Sequence, residues 1–156
     1  MKYFTLIILS LLLTGCHAQK EIDLKALIGD SKEHALEQFE NWGMKISPDE
    51  MTGYEDGIQI EVENGKVSTI WIEFTDRRTG SFPFQVDNVV TPSVLIQKVI
   101  DAYGEPDVTG GGTETGGVNL GGWMKWVTKS YQLHCEIINS KVVMVTLMKP
   151  DWYPGK

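Results

Sequence analysis

Between Ile58 and Phe74 the chain reads IQIEVENGKVSTIWIEF, and its first six positions alternate: Ile58, Ile60 and Val62 fall on one face, Gln59, Glu61 and Glu63 on the other. Alternation with a period of two marks a half-buried strand. Asn64-Gly65 follows, the strongest short hairpin signal, because both residues tolerate the positive φ of a type I′ turn. With that turn, Val62 is expected opposite Val67, Ile60 opposite Thr69 and Ile58 opposite Trp71. The return strand is also apolar at Ile70, Ile72 and Phe74, which predicts that part of its second face is covered.

Helical spacing appears on either side. Ile22 to Ile28 reads as one or two helical turns ending at Gly29. In SKEHALEQFENWG, Ser31 is an N-cap, Ala35, Leu36, Phe39 and Trp42 recur at helical spacing, and Gly43 is a stop. A second helix is expected in TPSVLIQKVIDAYG. Thr91 or Ser93 would cap it, with Pro92 near the first turn, Leu95, Ile96, Val99, Ile100 and Tyr103 on the apolar face, and Gly104 as the stop.

The hairpin then recurs. EIINSKVVMVTL parallels EVENGKVSTIWI at a constant spacing of 75 residues, aligning Glu61 with Glu136, Val62 with Ile137, Asn64 with Asn139 and Val67 with Val142. A helix followed by a hairpin, twice, is an internal duplication rather than a solenoid, which needs three or more units. WMKWVT, residues 123–128, adds a strand to the second half. The expected fold is α+β: two helix-plus-hairpin halves, about 22–80 and 81–156, form an antiparallel sheet with the helices packed on one face.

The N-terminus has a different pattern. Lys2 precedes an apolar run from Phe4 to Leu13, interrupted only by Thr5 and Ser10, then Thr14-Gly15-Cys16. A charged start, about ten apolar residues and a small-residue cut are the layout of a secretory signal. A spanning helix needs about twenty apolar residues. Leu13-Thr14-Gly15-Cys16 resembles the lipobox of bacterial lipoproteins. That resemblance implies cleavage before Cys16 and a lipid on its sulfur, so that 1–15 is a signal peptide, 16–21 an anchor and short linker, and 22–156 the domain. His17 follows the cysteine where an Asp tends to retain lipoproteins at the inner membrane. The implied address is the outer membrane, facing the periplasm.

The two halves, their hairpins and Tyr103-Gly104-Glu105-Pro106-Asp107 resemble the small lipoproteins and inhibitors of the β-lactamase-inhibitory-protein type. That group includes the small lipoprotein of the outer-membrane β-barrel assembly machine. The chain is similar as well to short bacterial lipoproteins without an assigned activity. These resemblances imply a binding or assembly role.

Charge narrows the partners. Without Lys2, 13 Lys and Arg face 21 Asp and Glu, which argues against nucleic acid, whose phosphates demand cations. Of the two cysteines, Cys16 is the one that the lipobox resemblance assigns to the lipid; an ordinary signal peptide cleaved near Ala18-Gln19 would remove it instead. Cys135 alternates with Leu133 and Ile137 and is read as a buried core residue, with His134 pointing the other way.

The run at 110–122 has seven glycines, but lacks the Gly-Lys-Ser/Thr of a phosphate loop and leads into a strand, so a flexible connection is expected. No EF-hand spacing, His-Glu-x-x-His motif or Gly-x-Ser-x-Gly elbow occurs. The expectation is a protein without catalytic activity, cofactor or metal, tied to the membrane by its lipid and to another envelope protein by exposed aromatic residues. Trp123 and Trp126 lie on opposite faces of their strand, and Trp152 and Tyr153 follow the last one. These four are the candidate partner-binding residues. A periplasmic immunity or inhibitor protein directed at a basic toxin or hydrolase is the alternative, and an envelope enzyme a third.

Overall fold

A computed structural model of the chain describes residues 22–42, 46–47, 52–53, 57–74, 84–111, 114–115, 118–119 and 121–151. In chain order its elements are β1 (Ile22–Asp23), a 3-10 turn (Leu24–Leu27), α1 (Lys32–Asn41), β2 (Thr52–Gly53), β3 (Ile58–Glu63), β4 (Lys66–Glu73), β5 (Phe84–Gln85), α2 (Ile96–Tyr103), β6 (Val108–Gly111), β7 (Glu114–Thr115), β8 (Val118–Asn119), β9 (Gly122–Val127), β10 (Gln132–Ile138) and β11 (Lys141–Met148). The fold is α+β. Six main strands form an open antiparallel sheet in the order β3-β4-β11-β10-β9-β6, and the two-residue β2 extends it beside β3. Among the described residues no helix is long and apolar enough to cross a membrane.

Both hairpins close on two residues of positive φ, Asn64 and Gly65 in the first and Asn139 and Ser140 in the second. The turn sets the register only as far as Val62 opposite Val67. There a bulge leaves Ser68 as an extra residue, so that Ile60 faces Ile70 and Ile58 faces Ile72. This corrects the expected Ile60–Thr69 and Ile58–Trp71 pairs. One inserted residue in a period-two strand moves every later side chain to the opposite face. Ile70 and Ile72 thereby join the core, and Trp71 leaves it for the other face. The second hairpin carries the same bulge, between Glu136 and Ile137, with Val143 as the extra residue.

The duplication is visible in the backbone. Lys32 donates its N–H to the Gly65 carbonyl at 3.0 Å and Val67 donates to Asp30 at 2.8 Å; in the second half Ile96 donates to Ser140 at 2.9 Å and Val142 to Val94 at 3.0 Å. Single bridges join Ser31 to Lys66 and Leu95 to Lys141 in the same way. Each helix therefore starts by clasping the turn of its own hairpin. For α1 this leaves Ser31 free to cap, its Oγ accepting the His34 N–H at 3.2 Å. For α2 the clasp occupies Val94 and Leu95, and the helix begins at Ile96 with Leu95 as N-cap and no side-chain cap. Neither Thr91 nor Ser93 caps it. The tertiary pairing of the preceding backbone overrides the local capping signal.

One face of the sheet holds the core. Ile58, Ile60, Ile70, Ile72, Leu133, Cys135, Val145 and Leu147 pack there against Ala35 and Phe39 of α1, Val99 of α2, and Leu24 and Leu27 of the 3-10 turn. Both helices share that face. Cys135 is fully buried, as its alternation predicted. Burial pushes its thiol up to about 12.

The Gly-rich run is not a plain connection. Gly110 and Gly111 belong to β6, Gly122 opens β9, and β7 and β8 pair between them as a small arm.

Candidate functional site

The face opposite the helices is set by the alternate residues of the same strands. Across the sheet one row runs Gln59, Trp71, Thr146, His134, Lys125 and Val108, and the next runs Glu73, Met144, Glu136, Trp123 and Gly110. At the β3–β4 turn end this face is closed: Thr69, Met148 and Gln132 are buried, and the Gln132 amide donates to the carbonyls of Lys149 and Pro150. Toward the other end it opens. Trp71, Met144, Trp123, His134 and Lys125 are half-buried there, Glu73, Glu136 and Val108 exposed.

Trp123 is held from two sides. A Cβ on Gly110 would lie 2.4 Å from Trp123 Cζ2, so the indole lies against the β6 backbone where only glycine leaves room. The ring also packs beside His134, centroids 5.0 Å apart and planes tilted by 41°. His134 Nε2 is buried and has no hydrogen-bond partner among the described residues. Burial lowers the pKa of this imidazole, Glu136 opposes that effect and Lys125 reinforces it. Burial outweighs the attraction of Glu136 and favours the neutral ring.

Trp126 has the opposite fate. It is 3 % exposed, packs at 6.0 Å from Tyr103 and donates its indole N–H to the Gly104 carbonyl at 2.9 Å. Its role is to seat the end of α2 on β9, and a partner cannot reach it. Of the two candidate aromatic residues among the described ones, Trp123 is placed on the open face. Trp152, Tyr153 and Cys16 lie outside the described residues.

Trp71, Met144, Glu73 and Glu136 escaped the sequence reading. Trp71 and Glu73 alternate against Ile70 and Ile72, a signal that becomes readable once the bulge at Ser68 is known.

A polar cluster lies on the helix side. Asp87 accepts hydrogen bonds from the hydroxyls of Tyr103, at 2.7 Å, and of Tyr131, and pairs with Lys25, whose ammonium also reaches Asp23 at 3.3 Å. Burial raises the pKa of both phenols, most strongly that of Tyr103. Kept protonated, the two phenols act as donors to one carboxylate, and the cluster ties the first 3-10 turn, the β5–α2 segment and the β9–β10 loop together.

Among the described residues no group of three or more His, Cys, Asp and Glu side chains is arranged to hold a metal. The chain matches no family model, no curated protein and no solved structure.

Proposed function

We propose that the protein is a lipid-anchored envelope protein with a non-catalytic role in binding or assembly, held by Cys16 at the periplasmic side of the outer membrane. The observation that supports it is the uneven use of the sheet. Both helices cover one face, while the other leaves Trp71, Trp123 and Met144 half-buried at one end. A partly exposed aromatic and methionine surface on a rigid sheet is the composition that protein interfaces favour. The lipid confines the search for a partner to the membrane surface.

A second reading is a periplasmic immunity or inhibitor protein. It is favoured by Glu73 and Glu136, which stand exposed on the same face and would meet a basic toxin or hydrolase.

Pull-down from membranes with the full-length protein tests the first reading. A specific partner retained by the native protein and lost on Met144→Arg is the expected result. A protein that retains nothing, or retains the same partner through the variant, would overturn it. Cys16→Ser should release the protein from membranes, and unchanged partitioning would refute the anchor.

A further inference from the structure

We infer that the open end of this sheet face receives a cationic segment of the partner, with an arginine or lysine side chain seated over Met144 between Glu73 and Glu136. The inference rests on the protein-binding reading above and names the chemistry of the partner. The strand register sets Glu73, Met144, Glu136 and Trp123 side by side on β4, β11, β10 and β9. Neighbouring strands lie about 4.8 Å apart, which puts the two glutamates about 10 Å apart across the methionine. With the backbones at that spacing, the two glutamate side chains are long enough to lean toward each other over Met144, so that one guanidinium or ammonium group between them bonds to both with charge assistance.

Two other acids of this face, Glu61 and Glu63, are already engaged. Glu61 accepts the Thr69 hydroxyl at 3.1 Å, and Glu63 pairs with Lys149 at 2.5 Å. Glu73 and Glu136 have no such bond among the described residues, and both are exposed. Lys125 shares the face but lies in the next row beside His134, and makes no ion pair with Glu136. Two carboxylates with no ion pair among the described residues, flanking an apolar floor, suit an amphipathic cation. Its aliphatic stem lies on Met144 and its charged head reaches the acids, with the Trp123 indole at the end of the row as a further attraction. The net charge of −7 steers the same kind of partner toward the protein.

Titration of the full-length protein with a capped peptide of alternating Arg and Gly-Ser units, followed by the indole N–H resonances, tests the inference. The Trp123 resonance should move and that of Trp126, bonded to Gly104, should stay. Glu73→Gln with Glu136→Gln should weaken binding at least tenfold. Glu33→Gln with Glu37→Gln, on the exposed side of α1, changes the net charge equally and should weaken it less than twofold. Equal weakening by both double variants would reduce the effect to net charge and overturn the inference. A peptide with Gln in place of Arg that moves Trp123 equally well would remove the cation while leaving the binding face intact. If neither peptide moves Trp123, the cationic seat is refuted, and the binding face rests on the membrane pull-down alone.

Discussion

Trp71 and Thr146 lie directly opposite each other where β4 meets β11, and each is the other's counterpart at the 75-residue spacing of the duplication. The same exchange relates Ile70 opposite Leu147 to Ile72 opposite Val145. It holds for the bulges as well. Phe74 donates its N–H to the Val143 carbonyl at 2.8 Å, and Lys149 donates to Ser68 at 2.9 Å. A local two-fold axis therefore passes through the seam at the Trp71–Thr146 pair, and it licenses comparisons of equivalent positions within one chain.

The two hairpin turns give the first comparison. Gly65 sits at φ 75° and its counterpart Ser140 at φ 62°. A side chain in the left-handed region costs about 1 kcal/mol, a cost glycine avoids. Ser140→Gly should raise the unfolding free energy by about 0.5–1 kcal/mol and Gly65→Ser should lower it by about 1 kcal/mol. Denaturant titration measures both, and equal signs would contradict the turn geometry.

Gly110→Ala should force the Trp123 ring off the β6 backbone. The expected loss is about 1–3 kcal/mol, typical of overpacking, together with a shift in tryptophan emission. Adding Trp123→Ala should make the glycine substitution nearly neutral. If the alanine is harmless in the native background, the close approach is wrong.

Asp87 collects two phenol hydroxyls and a lysine, so Asp87→Asn should cost about 2–3 kcal/mol, the range for hydrogen bonds to a charged group reduced by partial exposure. Amide exchange should rise at the β9–β10 loop and in the Leu24–Leu27 turn together, because the carboxylate joins them. Loosening of one without the other would show that the cluster does not act as a tie.

His134 and Cys135 are adjacent in sequence but respond to different faces. For His134 the native pKa lies below the unfolded value of about 6.5. The unfolded chain then binds the extra proton first. Stability is lost as pH falls through about 6.5, and the loss levels off below the native pKa. His134→Gln should flatten that part of the pH–stability curve relative to the native protein, and an unchanged curve would refute the shift.

Cys135, with its thiol raised to about 12, should resist alkylation at pH 8 in the folded protein and react once denatured. Rapid modification of the native state would show that it is not buried.

The hairpins, the repeat and the burial of Cys135 were legible because each is a local pattern: an Asn-containing turn, a fixed spacing, an alternation. The bulges were not. Nothing in VSTIWIE marks Ser68 as the supernumerary residue, because the insertion is set by pairing across the sheet and by which residues the helices cover. That single residue decided whether Trp71 would be core or surface. The start of α2 was misplaced for a related reason: Val94 and Leu95 pair with a turn more than forty residues away. The Asp87 cluster draws its members from across the chain, at separations of 16, 44 and 62 residues, beyond any window of periodicity.

The two-fold seam bears on stoichiometry. A surface astride such an axis would offer the same docking ground twice, once toward each end of the sheet. Here the counterpart of Glu73 is Met148, which is buried, the counterpart of Met144 is Thr69, and the counterpart of Glu136 is Glu61, already bonded to that threonine. The duplicated scaffold has kept its backbone symmetry and given up its surface symmetry, so a partner that reads the acidic end should bind one per chain, with a titration that breaks at equivalence and not at twice that ratio.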